Sequence, residues 1–177
     1  MSVTDEDKRF AGTLIDGARM YAAAADAVND KLPNALHVLS HLLGMSVELA
    51  LKAYLKNNGV STKELRKLGH NLGALYEKAQ EFGLLYTGSQ SFRLQVLGAN
   101  YEARIFAYPE EGNLSVINPR SLREVTQDLI ADIFEQIKGK ETLQELSREP
   151  GLVIQSNYPE DIEPSAWSMG ILRKPNQ

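Results

Sequence analysis

The chain has 177 residues, room for one domain with a sizeable core, and its 43% apolar and 24% charged residues are ordinary for a soluble globular protein. It has no cysteine for disulfides or thiolate metal sites, and its formal charge of −4 offers no general attraction to nucleic acid or anionic membrane. Contact with nucleic acid would need a local basic patch, and the acidic opening MSVTDEDKRF does not read as a secretory signal.

Thr4 reads as a helix N-cap, with Asp5, Glu6 and Asp7 in the first turn where the helix dipole favours negative charge. Phe10, Leu14, Ala18, Tyr21, Ala25 and Val28 recur at three- and four-residue spacing, which predicts an amphipathic helix to about Val28. Its small residues, Ala18, Ala22 and Ala25, permit close approach by a neighbour. Asn29 to Leu32 is a short connection, and Pro33 suits a first helical position.

The stretch from Pro33 to Asn58 is apolar around most of its circumference. Leu36, Leu39, Leu43, Val47, Ala50 and Tyr54 form one stripe, and Val38, Leu42, Met45 and Leu49 widen it. A narrow polar strip holds His37, His41, Glu48 and Lys52. The length would suit a membrane span, but each charge at a span centre costs about 2.5–3.5 kcal/mol, so the stretch reads as the central helix of a bundle.

Asn58-Gly59 closes that helix. Ser61 or Thr62 caps a short turn through Leu65, Leu68-Gly69-His70-Asn71 interrupts it, and a third helix runs from about Asn71 to Glu81, ended by Gly83. Residues 84–90 read as loop. Phe92, Leu94, Val96 and Leu97 mark a fourth helix that Tyr101 to Phe106 continues, before a long loop from Pro109 to Pro119. Pro119 and Ser121 open the last strong helix, with Leu122, Val125, Leu129, Ile133, Phe134 and Ile137 inward. The expected architecture is all-α: an up-and-down bundle of four to five helices over residues 4–138. Residues 139–177 read as a short helix plus extended tail, not a separate domain, with Trp167 as an anchor to the bundle or to a second copy.

Several groups are candidates for chemistry. His37 and His41, four apart on one helix face, can address one metal ion with Glu48 two turns on, but Val38 stands where a helical metal hydrolase needs its glutamate. The alternative is a wet helix edge on which Glu48 and Lys52 pair at i, i+4. His70 sits in a glycine-made turn at a helix start, where it either offers a ring nitrogen to a ligand or fixes the helix entry. Lys63, Arg66 and Lys67 beside it form an anion-binding corner or a solvated face. Tyr101, Arg104 and Tyr108 place an arginine between aromatics, a pattern that stacks bases and grips phosphate or ties down a loop. No glycine-rich phosphate loop and no GxSxG elbow is present.

The order of these features resembles the HEPN superfamily of helical domains. It is carried by the alanine-rich first helix, Glu48-Leu-Ala-Leu-Lys52-Ala-Tyr-Leu55, Gly59, Leu68-Gly69-His70-Asn71-Leu72, then Tyr101, Arg104 and Tyr108-Pro109, over about residues 8–138. The resemblance implies a bundle that commonly forms a homodimer and occurs in RNA-cleaving toxins, defence systems and non-catalytic RNA- or nucleotide-binding modules. Its nucleases use an Arg-x(4–6)-His motif, and this chain departs from it. Positions 30–32 and 34–36, upstream of His37 and His41, hold no arginine; only three residues separate Arg66 from His70; and no histidine follows Arg104. The expectation is a cytoplasmic, cofactor-free, non-catalytic module for RNA, a nucleotide or a partner protein, with no membrane partner. His70 would serve as hydrogen-bond donor or weak base, Arg104 as phosphate clamp, Tyr108 as stacking surface, and Tyr101 and Arg66 as further ligand contacts. The alternative is a metal-independent ribonuclease with a remodelled centre in which His70 is the base.

Overall fold

The computed structural model describes residues 3–32, 35–86, 88–102 and 118–139. Six helices are found among them: α1 (Asp5–Lys31), α2 (Leu36–Asn57), α3 (Thr62–Leu68), α4 (Leu72–Glu81), α5 (Gly88–Glu102) and α6 (Pro119–Lys138). The described residues form an all-helical bundle, as the periodicity predicts.

The starts of α1, α3, α4 and α6 follow from local chemistry. Thr4 and Asp7 form a reciprocal capping box, each side chain bonding the other's backbone N–H at 3.1 Å. Ser61 caps α3 through the Glu64 N–H, and Asn71 caps α4 through the Ala74 N–H at 2.8 Å. Asn118 caps α6, with Pro119 in its first turn. Gly59 turns at φ 84° after α2, a left-handed conformation that glycine adopts without steric cost.

α2 contacts all the other described helices, which makes it the central member of the bundle. Leu39, Leu43, Val47, Ala50, Leu51, Tyr54 and Leu55 on it are buried, and burying each large aliphatic side chain contributes about 1.5–3 kcal/mol. α1 packs against it through Ala11, Ile15, Ala18 and Ala25, all fully buried. The approach is close enough for the Ser46 hydroxyl of α2 to donate to the Ala18 carbonyl of α1 at 2.7 Å. α6 covers both with Val125, Leu129, Ile133 and Phe134, and Arg123–Asp26 and Lys138–Asp16 ion pairs tie it to α1. α2 is the one described helix long and apolar enough to span a membrane, and 67% of its most apolar window is buried inside the bundle, as a core helix requires.

Several boundaries and faces differ from the sequence reading. α1 runs through Lys31, because Asn29 to Lys31 continue its hydrogen bonding instead of forming the connection. α2 begins only at Leu36, with Ala35 as a cap lacking a side-chain bond, and Pro33 lies outside the described residues. α3 extends past Leu65 to Leu68, and α5 starts at Gly88, within the expected 84–90 loop. With α3 a helix in its own right, the six described helices exceed the four to five expected. Val38 and Phe92, assigned to apolar faces, are 51% and 64% exposed. The continuation from 103 to 106, the loop before Pro119, and the tail with Trp167 all lie outside the described residues.

Candidate functional site

His41, Gly44, Met45, Glu48 and Lys52 recur every three or four residues, so they share one face of α2. The sequence reading placed Glu48 on a wet edge. In the structure Glu48 is 2% exposed, because His70 and α5 with Tyr101 close over that face.

A buried carboxylate must be paired and hydrogen-bonded, and Glu48 is both. Lys52 Nζ lies 2.6 Å from its Oε1, the i, i+4 pair expected from the sequence. The Tyr101 hydroxyl lies 3.1 Å from Oε2, and His70 Nδ1 stands 3.0 Å from each oxygen. One carboxylate thus gathers side chains from α2, α5 and the α3–α4 turn.

Local backbone chemistry positions each partner. Gly69 caps α3 at φ 59°, ψ −125°, a conformation that side-chain-bearing residues rarely adopt, and Asn71 starts α4 two residues later. His70 is held between the two caps, with its Nδ1 edge toward Glu48 and its side chain 76% exposed. Tyr101 lies against Gly44, where a β-carbon would stand 2.8 Å from the ring Cε2. Its ring stacks on exposed His41 at 5.8 Å between centroids, and its hydroxyl is also 2.7 Å from Met45 Sδ. Burial, reinforced by the Glu48 carboxylate, raises the Tyr101 hydroxyl well above its ordinary pKa, so it stays protonated and donates to Glu48.

Comparison with protein-family models, with curated proteins and with solved structures finds no match for this chain. The site must be read from its own geometry.

That geometry unites two of the residues expected to bind ligand, His70 and Tyr101, on a carboxylate first considered as a metal ligand. Arg66 is exposed in the last turn of α3, four residues before His70, with Lys63 and Lys67 exposed on the same short helix. Arg104 and Tyr108 lie outside the described residues. His37, His41 and Glu48 are not brought together as one ligand set: no group of three potential ligands forms among the described residues. At about 1.5 Å of rise per residue, His37 and His41 sit about 16 and 10 Å along the helix from Glu48, too far to share an ion. His41 stacks on Tyr101 instead, and His37 Nδ1 is buried without a partner among the described residues.

The sequence reading missed the contact of Tyr101 with Glu48. Its one signal was Gly44, a glycine inside an otherwise apolar helix, which marks close approach by a neighbouring group. Two open clefts lie elsewhere: about 250 Å³ lined by Leu84, Tyr86, Asp132 and Gln136, and about 590 Å³ lined by Asp7, Phe10, Thr13 and Lys56.

Chemically, the arrangement is a braced imidazole. An ionised carboxylate only accepts, so Nδ1 donates and Nε2 remains on the solvent side. Such a ring is oriented by Glu48, largely exposed, and available for hydrogen bonding or proton transfer.

Proposed function

We propose that this chain is a cytoplasmic, HEPN-like helical module that binds RNA or a nucleotide, with His70 as its central ligand contact. The observation that carries the reading is an exposed imidazole braced on a buried, fully partnered carboxylate. An apolar residue at position 48 would fill the same space without the desolvation cost of a buried ion, so stability alone does not account for the cluster. The stretches that carry the HEPN resemblance, Glu48 to Leu55 and Leu68 to Leu72, are the ones that supply Glu48, Lys52 and His70. Arg66 and Lys67, exposed in the last turn of α3 four and three residues before His70, supply local positive charge on an otherwise acidic chain. The resemblance adds a homodimer and a toxin-antitoxin or defence setting, with a partner protein as the other ligand such modules take.

The test is fluorescence anisotropy with labelled single-stranded RNA, tRNA and a labelled adenine nucleotide. His70→Ala should weaken binding about tenfold, the worth of one well-made hydrogen bond, and Arg66→Ala should flatten the salt dependence. Absence of binding by all three probes would sink the proposal.

The ribonuclease reading has one observation in its favour: with Nδ1 engaged by Glu48, Nε2 is placed to take a proton. Labelled tRNA incubated in EDTA tests it. Cleavage lost in His70→Ala and in Arg104→Ala would establish a remodelled centre, whereas cleavage retained by both would reject it.

A further inference from the structure

We propose that the cleft between α6 and the loop joining α4 to α5 is a docking site for residues 167–174 of this same chain. It takes an apolar stretch that ends in two cations, and it is independent of the RNA-or-nucleotide reading.

Two buried residues, Leu84 and Tyr86, fix the loop, and the Tyr86 hydroxyl donates to Asp132 Oδ2 on α6. Leu85 between them is 80% exposed, more than any other large apolar side chain among the described residues. A single exposed leucine is ordinary on a protein surface, but this one helps to line a cleft of about 250 Å³ with Gly83, Asp132 and Gln136. That volume falls below the roughly 300–1,000 Å³ of small-molecule sites and suits inserted side chains. Its charge is of one sign. Asp132 Oδ1 has no partner among the described residues, exposed Asp128 one turn earlier acts on the Tyr86 hydroxyl through its charge, and no described lysine or arginine lines the cleft.

The described chain leaves the bundle beside this cleft. The Gly139 N–H bonds the Glu135 carbonyl at 2.9 Å, and Glu135 and Gln136 line the cleft. Residues 140–177 lie outside the described residues, and their sequence holds one stretch of matching chemistry. Trp167, Ile171 and Leu172 are apolar, Arg173 and Lys174 follow directly, and no acidic residue occurs after Glu163. The earlier run Leu152-Val153-Ile154 matches less well: the next charges after it are Glu160, Asp161 and Glu163. The connection from 140 to 166 has a reach of about 30 Å as a flexible chain, far beyond the single helical turn from Gly139 to Gln136. Such a tether holds the stretch at about millimolar effective concentration, so a modest contact suffices. The apolar side chains cover Leu85, and the two cations meet Asp128 and Asp132.

Trp167 is the chain's one tryptophan, so its fluorescence reports on this stretch alone. Acrylamide quenching on the full chain is the test, with helicity checked by circular dichroism. In the natural protein Trp167 should be protected relative to free N-acetyltryptophanamide. Leu85→Asp, a change at an exposed side chain, should abolish that protection. Arg173→Glu with Lys174→Glu, a change outside the described fold, should do the same, while Val38→Asp on an exposed part of α2 should leave it intact. Quenching in the natural protein equal to that of the free compound would overturn the proposal, as would protection that survives either cleft-directed change or is lost in Val38→Asp. Protection that disappears on dilution would assign the stretch to the cleft of a second copy and overturn docking within one chain.

Discussion

Gly44 and Tyr101 compete for one volume: a β-carbon on Gly44 would collide with the tyrosine ring at Cδ2 and stand 2.8 Å from Cε2. Glycine to alanine inside a helix ordinarily gains about 1 kcal/mol, while forcing a methyl group into a packed ring costs about 1–3 kcal/mol. Gly44→Ala should therefore lower stability in the natural protein. In a Tyr101→Ala background the obstacle is gone, and the same change should raise stability by about 1 kcal/mol. Urea unfolding of the four proteins gives the comparison, and a gain in both backgrounds would show that the ring does not sit against Gly44.

Glu48 anchors three partners, whereas Lys52 serves one. Glu48→Ala strands a largely buried ammonium and releases Tyr101 and His70, a loss expected at about 3 kcal/mol. Lys52→Met leaves the buried carboxylate bonded to the other two but removes its paired cation, and should cost about 2 kcal/mol. Equilibrium denaturation ranks the variants, and a larger loss at Lys52 would reverse the assignment of the anchor.

Asp7 accepts from Lys56 Nζ at 2.6 Å as well as from Thr4, and these bonds, that of Lys56 first, lower its carboxyl from 3.8 to about 2. A carboxyl depressed by folding adds stability that is complete above its unfolded value and is lost as pH falls through its folded one. Between about pH 4 and pH 2 the natural protein should lose melting temperature more steeply than Asp7→Asn. Parallel melting curves across that window would mean that the pair does not survive in solution.

Thr126 lies fully buried on α6, and its hydroxyl has no partner among the described residues. Valine keeps the shape and removes the desolvated oxygen, so Thr126→Val should stabilise by about 1 kcal/mol. A loss on thermal or urea unfolding would indicate a bond that the hydroxyl makes and valine cannot.

The central helix was legible because burial on most sides leaves a mark in one dimension: Leu39, Leu43, Val47 and Tyr54 fall on one stripe, and all four are buried. Two caps were legible for the same reason, since Thr4 and Ser61 each act on an N–H three residues ahead. Glu48 was misplaced because its environment is made by segments far along the chain, His70 by 22 residues and Tyr101 by 53. Periodicity assigns a residue to a face but does not say which neighbour will cover that face. Position 48 reads as a surface carboxylate until α5 is docked. Val38 failed in the opposite sense, an apolar residue on a face that no described helix covers.

The seam between α1 and α2 also has a history in time. Ala11, Ala18 and Ala25 lie seven residues apart, and with the bond from Ser46 to Ala18 they make a narrow hairpin from the first 57 residues. The helix that roofs this hairpin, α6, starts only at Pro119. During synthesis at about 5–20 residues per second, the hairpin is therefore out of the ribosome for several seconds before its roof arrives. Through that interval the flank of the hairpin that α6 later covers, with Leu129, Ile133 and Phe134 buried on α6, faces water. A nascent chain halted before Pro119 thus presents a greasy surface to chaperones and proteases, and completion of α6 is the event that hides it.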